Sequence, residues 1–249
     1  MPAWRTANWI SADAPTLPCL RRASNLGALV TDTAPPKART QEERSALSDA
    51  RMADAAVALI CERGAADTTL KDVGVRAGYS RGLAGYRFGS KAGLWSFLVH
   101  TIGESWLGEL QEAVTGTTGL QAIHAAVDAH SRFLLDSSDR IRAFYILWFD
   151  SVGPDAELKA VIARIHERRR EDVESWIDNG RASGSIRDDV DVRAVAEQFC
   201  GAIIGIVYQW LVSPLDHARV RQLHLDLKHQ MTQALQAGAS PSPHEKGTT

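Results

Sequence analysis

The sequence predicts an all-α protein of roughly nine helices, in which a small three-helix domain precedes a larger helical domain. Apolar residues recur at spacings of three and four along most of residues 41–237, the pattern of helices that bury one face. No segment of the sequence alternates apolar and polar residues between hairpin turns, so an extensive sheet is not expected. With 249 residues, 45% hydrophobic and 23% charged, the chain has the composition of a globular protein with a buried core.

The two ends of the chain lack this periodicity. Residues 1–40 are rich in proline and predict a flexible N-terminal arm, and residues 238–249, rich in Gly, Ser and Pro, predict a disordered tail. Three cysteines without CxxC spacing argue against a disulfide framework. The longest apolar run, residues 199–212, is shorter than the roughly 20 residues of a membrane span. A cytoplasmic protein without membrane partners is expected.

Helix signals in residues 41–93 predict the small domain. The first helix has an apolar face and ends in a basic turn at Gly64; the face consists of Met52, Ala55, Ala56, Leu59 and Ile60. Thr69 is placed to cap a short second helix that ends at Gly78. Ser80 is expected to cap a third helix running to about Arg87, and Ser90 to cap a fourth.

Two short capped helices around a tight glycine turn are typical of a helix-turn-helix. Residues 63–91 contain six basic and two acidic residues, a charge excess suited to a polyanion. Arg81 precedes the predicted second motif helix, and an arginine can bond guanine O6 and N7 together. Tyr86, Arg87 and Lys91 follow and are expected to contact phosphates, Lys91 at the start of the next helix.

The larger domain, residues 94–237, carries apolar stripes of further helices. One includes Ile141, Phe144, Tyr145 and Trp148. A long helix is expected to have Pro154 in its first turn and to end at residues 179–180. The last two helices are expected before and after a stop at residues 213–214, with stripes of Phe199, Ile203, Ile206, Val207 and Trp210, and of Leu223, Leu227, Met231 and Leu235.

Residues 37–94 resemble the TetR family of bacterial one-component transcriptional regulators. The resemblance runs through PKARTQEER, TTLKDVGVRAGYS, RGLAGYRF and GSKAGL, and the last two segments are most similar to the choline-responsive, BetI-like branch. It implies a homodimeric repressor whose two recognition helices enter major grooves about 34 Å apart on a pseudo-palindromic operator. The DNA-binding residues that the motif and resemblance together predict are Thr69, Ser80, Arg81, Gly82, Leu83, Tyr86, Arg87 and Lys91.

The resemblance further implies a small-molecule effector pocket in the middle helices and a four-helix interface between the last two helices of each chain. Candidate pocket residues are Trp106, Phe133, Trp148, Asp150, Trp176 and Tyr208. Aromatic residues at helical spacing are also common in plain cores, and Asp150 faces either a cationic ligand or water. Candidate interface residues, around Gly201-x-x-x-Gly205, are Phe199, Ile203, Val207, Trp210, Leu223 and Leu227.

Other functional classes receive little support. The eight histidines lack the spacing of metal ligands on a helix, because His224 and His229 are five residues apart, so no metal or cofactor is expected. The run Arg168-Arg169-Arg170 is interpreted as a solvated helix face next to acidic residues. No nucleotide-binding or hydrolase motif is found, so an enzyme is not expected. A DNA-binding scaffold without an effector, and an all-α enzyme lacking recognisable motifs, remain the alternatives.

Overall fold

The computed structural model describes residues 40–136, 138–212 and 216–236; the predicted tail and residues 1–39 of the predicted arm lie outside these ranges. The described residues form nine α-helices and no strand, as the periodicity predicts; Ile186 and Gln236 form an isolated bridge. The helices are α1 (Gln41–Arg63), α2 (Leu70–Arg76), α3 (Leu83–Phe88), α4 (Lys91–Val114), α5 (Gly119–Asp136), α6 (Ser138–Asp150), α7 (Ala156–Ala182), α8 (Val192–Val212) and α9 (His217–Leu235).

Helix α1 has a defined cap at each end. The Thr40 hydroxyl accepts a hydrogen bond from the Glu43 N–H, and the Glu43 carboxylate accepts one from the Thr40 N–H, which together form a capping box. The helix ends at Arg63, and Gly64 follows with a φ of 84°, which confirms the predicted stop. The T-x-x-E pattern at Thr40 is a start signal that the sequence interpretation left unused.

The turn between α2 and α3 differs from the prediction. Thr69 caps α2 as expected, and Gly78 has a φ of 81° in the turn. The expected cap at Ser80 is wrong, because α3 begins at Leu83 and Gly82 is its N-cap, with no side-chain bond. The Ser80 carbonyl instead accepts the Leu83 N–H at 3.2 Å, so residues 80–82 form a further turn.

Helix α4 joins the small domain, which we call the head (residues 40–90), to the remainder, which we call the body. Its N-terminus is capped as predicted, since the Ser90 hydroxyl accepts the Gly93 N–H at 2.9 Å. Leu94 and Leu98 are buried. Phe88 of α3 stacks on Phe97 of α4 with ring centroids 5.1 Å apart, so the two parts share a core at this point.

Helix α7 starts and ends later than predicted. Asp155 caps it and accepts the Leu158 N–H, so Pro154 lies outside the helix rather than in its first turn. The helix also continues through Gly180 to Ala182. Gly180 lies within this helix and packs closely against Gly119 of α5: a Cβ on Gly180 would lie 2.8 Å from the Gly119 Cα and 2.5 Å from the Ile186 Cδ1.

Helices α8 and α9 complete the body. Helix α8 ends at Val212, and the predicted stop at residues 213–214 lies outside the described residues. The whole of α8 is longer than its uninterrupted apolar run, and its length and composition would allow it to cross a membrane. It packs against α7 and α9, and core helices of globular proteins meet the same criterion.

Candidate DNA-binding surface and ligand cavity

The exposed residues before and along α3 form the candidate DNA-binding surface. Arg81 is exposed in the turn before α3 and makes no hydrogen bond or ion pair with any other described residue. Tyr86 is 86% exposed, and an aromatic side chain exposed to this extent is often part of a binding surface. Ser80 and Gly82 are exposed beside Arg81, and Leu83 is half-buried. These predicted contacts therefore lie together on one accessible surface.

Several other basic residues of the head are paired with carboxylates. Arg63 binds Asp72 at 2.6 Å, and Arg76 binds Glu62 through both terminal nitrogens. Arg87, a predicted phosphate contact, directs its guanidinium at Asp49 of α1, with Nε 2.8 Å from Oδ1. This pair ties α3 to α1, so the structure gives Arg87 a positioning role within the head.

Thr69 and Lys91 also hold the head together. The Thr69 hydroxyl accepts the Asp72 N–H and donates to its carboxylate at 2.7 Å, and this bond, reinforced by Arg63, lowers the pKa of Asp72. Lys91 is half-buried, and its Nζ donates to the Ala66 carbonyl at 2.6 Å, which leaves two of its three donors for a phosphate. Both residues already have partners within the chain, and their contact with DNA stays a prediction.

The body contains a cavity of about 80 Å³ between α4, α5, α6, α7 and α8. Three of the six predicted pocket residues, Trp106, Trp148 and Trp176, line it. Much of the remaining wall is aromatic or aliphatic and includes Phe144, Tyr145, Val173, Phe199, Ile203 and Ile204.

The other three predicted pocket residues do not line this cavity. Phe133 lies behind the wall, where it stacks on Trp106 with ring centroids 4.7 Å apart. Asp150 is exposed at the end of α6. Tyr208 is 54% exposed on α8 and meets Phe149 edge-on at 5.8 Å. The sequence interpretation failed here because an aromatic residue on a helix has several apolar environments available to it.

A buried polar chain that the sequence interpretation missed borders the cavity. His130 Nδ1 lies 2.9 Å from His224 Nε2, and His130 Nε2 lies 3.1 Å from the Tyr145 hydroxyl. The other nitrogen of His224 donates to the Val220 carbonyl at 2.7 Å. Burial, with a smaller contribution from His224, lowers the pKa of His130 to about 3, so the ring is neutral near pH 7.

Arg169 lines the cavity as well, which corrects the interpretation of the arginine run as a uniformly solvated face. The Arg168 side chain is 62% exposed, whereas that of Arg169 is 18% exposed. Position 169 continues a 3–4 spacing with cavity residues on α7, and this spacing was the available signal; the stripe consists of Ile165, Arg169, Val173 and Trp176.

The predicted dimer-interface residues face the interior of the chain. Phe199 and Ile203 line the cavity, and Leu223 packs against the core. The remaining three residues are at most 8% exposed within the single chain: Val207, Trp210 and Leu227. Most of these side chains are therefore covered within the single chain, and their place in a dimer interface stays a prediction.

Within the described part of the chain, no three His, Cys, Asp or Glu residues are grouped as metal ligands. Cys61 and Cys200 are free thiols. Cys200 lies on the cavity wall, and burial raises its pKa to about 11, so it is a protonated, apolar wall residue near pH 7.

An all-α chain with an exposed helix-turn-helix and an internal cavity defines a class, the helix-turn-helix regulators with a helical second domain. Residues 53–96 match the family described as bacterial regulatory proteins, tetR family. The predicted resemblance is thereby confirmed for this part of the chain: residues 53–96 form a helix-turn-helix segment of the TetR type. The match to the BetI-like branch stays a prediction.

Solved structures support the same fold. A TetR transcriptional regulator from Chloroflexus aurantiacus is 18% identical, with a TM-score of 0.67, over 78% of this chain and 99% of that one. SmeT, the repressor of the Stenotrophomonas maltophilia multidrug efflux pump SmeDEF, is 22% identical, with a TM-score of 0.61, over 81% and 97%. A SmeT–triclosan complex is 21% identical, with a TM-score of 0.62, over 81% and 99%. No curated protein matches the chain significantly in sequence.

Proposed function

We propose that this protein is a cytoplasmic, homodimeric transcriptional repressor that leaves a palindromic operator when a small molecule occupies the cavity in its body. The proposal is carried by two features that occur together. Arg81 is exposed and unpaired in a head that matches the TetR family, and the body contains a largely apolar cavity. Helix α4 links the two, because it begins directly after the head and lines the cavity. The similar SmeT structure was determined with triclosan, which is consistent with a small-molecule ligand.

DNA reading is assigned to the surface around Arg81. Its guanidinium has no partner among the described residues, so binding a guanine does not require breaking an existing ion pair. Tyr86 and Lys91 flank this surface and supply a hydroxyl and an ammonium group for phosphates. Thr69, Ser80, Gly82 and Leu83 remain proposed contacts at its edges.

Dimerisation is assigned to the outward face of α8 with α9. Positions 201, 205, 208 and 212 share one side of α8, and a Cβ at Gly201 or Gly205 would meet nothing within 4 Å. Tyr208 and Val212 are 54% and 60% exposed on this side. Small residues flanked by exposed apolar ones suit close contact with a second copy, and this face replaces the predicted interface residues.

Ligand binding would be transmitted through α4 and α6. Helix α4 starts at Lys91, directly after the head, and lines the cavity with Trp106, about 22 Å along the helix axis. Helix α6 lines the cavity with Trp148, and Arg140 near its start binds Asp54 of α1 at 2.5 Å. A ligand that fits only one tilt of these helices would favour one separation of the two heads.

The test starts from DNA fragments selected from a random double-stranded pool by the purified full chain. Binding by fluorescence anisotropy near 150 mM salt should be much tighter for the selected palindrome than for a scrambled duplex. Arg81→Ala should weaken specific binding by about 1–3 kcal/mol and scrambled-duplex binding far less. Arg164→Ala, an exposed arginine of α7 in the body, is the matched control and should bind like wild type. Recovery of no enriched sequence would contradict the proposal.

Dimerisation is tested separately by light scattering on the eluting protein. The wild-type chain should elute at twice its monomer mass. Gly205→Trp should shift it towards the monomer, because an indole at an open interface glycine would separate the two copies. Gly108→Trp, on an open part of α4, is the control. A monomeric wild type that still binds a palindrome tightly would contradict the assigned interface.

A further inference from the structure

We propose that the ligand of the cavity is an aromatic carboxylate, whose rings lie against the tryptophan walls and whose carboxylate binds Arg169. The inference rests on the proposed function only in naming this cavity as the effector site. The sequence around Asp150 suggested a cationic ligand, whereas the ligand proposed here is an anion. The reason is that Asp150 is exposed outside the cavity and the charged residue of the wall is an arginine.

The first supporting observation is the incomplete bonding of Arg169. Its Nη2 lies 2.9 Å from Asp172 Oδ2, whereas Nε and Nη1 are buried and have no hydrogen-bond partner. Buried donors without acceptors are costly, and charged ones are the most costly. An acceptor group arriving in the cavity beside Arg169 would bond donors that the chain itself leaves unsatisfied.

The second observation is the local balance of charge. Arg168 Nε lies 3.5 Å from Asp172 Oδ1, so two guanidinium groups share one carboxylate. Glu104 on α4 is near enough to act on Arg169 electrostatically, but it is exposed and separated from it by more than hydrogen-bond distance. Asp172 is therefore shared between two guanidinium groups, and Arg169 retains the unbonded Nε and Nη1 described above.

The third observation is the absence of acidic residues from the described cavity wall. None of its lining residues is Asp or Glu, so a cationic ligand would find no counter-charge there. The wall histidines His130 and His166 have pKa values lowered by burial and are neutral near pH 7. Arg169 is thus the single permanent charge among the wall residues described.

The fourth observation is the aromatic character of the remaining wall. Trp106, Trp148 and Trp176 present indole rings from α4, α6 and α7. Aromatic rings pack well on one another in stacked or edge-on contacts, which favours a ligand with planar rings. A planar apolar body with one carboxylate matches a wall that is apolar except beside its arginine.

The test compares two probes of nearly the same size, 2-naphthoate and the neutral 2-naphthamide. Isothermal titration calorimetry with the full-length wild-type chain should give at least about tenfold tighter binding of the naphthoate, because a guanidinium binds a charged acceptor more strongly than a neutral one. Equal or tighter binding of the amide would overturn the proposal, as would no binding of either probe up to about 1 mM.

Two variants locate the preference. Arg169→Met retains a long side chain without charge and should abolish the preference for the naphthoate. Arg168→Met removes the neighbouring exposed arginine and should retain it. A preference that survives in Arg169→Met would overturn the assignment to this residue. The wild-type comparison of the two probes does not depend on either variant being folded.

DNA binding, measured on the same preparations, separates this inference from the proposed function. Tight palindrome binding without a carboxylate preference would refute the inference and leave the regulator intact. A carboxylate preference without palindrome binding would refute the regulator and leave the cavity assignment intact. If both proposals are correct, 2-naphthoate should release the protein from DNA. It should then lower the anisotropy of the DNA complex, whereas 2-naphthamide at equal concentration should not.

Discussion

The head and the body each contain an arginine with unbonded donors, and these two arginines lie in opposite environments. In the head, Arg63 and Arg76 are bound to carboxylates at the surface, whereas Arg81 has no partner and faces solvent. In the body, Arg169 lies largely buried beside a cavity with two of its nitrogens unbonded. The comparison teaches that one residue type suits two different partners in the proposed functions, a polyanion outside the molecule and a small ligand in a cavity.

The largest expected effect concerns the two faces of α3. Phe88 is 2% exposed and stacks on Phe97 at the junction of head and body, so Phe88→Ala should lower the free energy of unfolding by about 3–5 kcal/mol. Urea unfolding followed by circular dichroism measures this change. Tyr86→Ala, on the exposed face of the same helix, should leave stability nearly unchanged and weaken DNA binding. Similar losses of stability in both variants would remove the distinction between the faces.

Between pH 7.5 and 5, above the range in which carboxylates titrate, acid should destabilise the body. All eight histidines lie outside residues 40–90, and His130 is held neutral with a pKa of about 3. The unfolded chain binds protons below about pH 6.5 and the native His130 does not, so stability falls as the pH drops from about 6.5 towards 3. Between pH 7.5 and 5 the loss is about 2 kcal/mol for such a histidine.

The measurement for this second prediction is the free energy of unfolding as a function of pH. His130→Asn should make the dependence shallower, and His100, whose pKa burial lowers to about 4, should retain part of it. His229→Asn, which changes an exposed residue of α9, should leave the dependence unchanged. An equally steep dependence in His130→Asn would show that other groups control acid unfolding.

A smaller effect is expected where the body helices make their closest approach. Gly180→Ala places a methyl group 2.8 Å from the Gly119 Cα and against Ile186, so α5 and α7 must separate, at a cost of roughly 1–3 kcal/mol. Gly108→Ala, in an open part of α4, should instead be neutral or stabilising by up to about 1 kcal/mol. Thermal unfolding of both variants decides this prediction; an unchanged Gly180→Ala would mean that the helices shift without strain.

The smallest effect concerns Lys91, at the boundary of the two regions. Lys91→Met removes one proposed phosphate contact and should weaken binding to all duplexes alike by about fivefold at 150 mM salt, lowering the salt slope by about one. Anisotropy titrations at several salt concentrations measure both quantities. A change in sequence preference alone would show that Lys91 reads bases rather than phosphates.

The head was predictable because its signals are local. Thr69, Ser90 and Gly64 each act within four residues of the helix end that they define, and all three predictions are confirmed. The prediction for Ser80 is wrong because the turn extends to Gly82. A serine that is able to cap a helix does not determine where the next helix begins.

The body was predictable as a set of helices but not as a site. The apolar stripe of α8 identified a buried face, yet Phe199 faces the cavity rather than a second chain, because stripes do not specify their partner. Arg169 was predicted to be solvated because it lies in a run of charged residues, and the sequence does not show that its side chain is buried against other helices. His130 and His224 are 94 residues apart, and only the tertiary fold brings their rings to 2.9 Å.

The cavity described above is bounded by α4 to α8 of a single chain. The proposed dimer would therefore carry two such cavities, one in each copy. If both must be filled before the proposed operator is released, expression of the regulated gene would rise with the square of the ligand concentration at low dose, so low concentrations of ligand would have little effect.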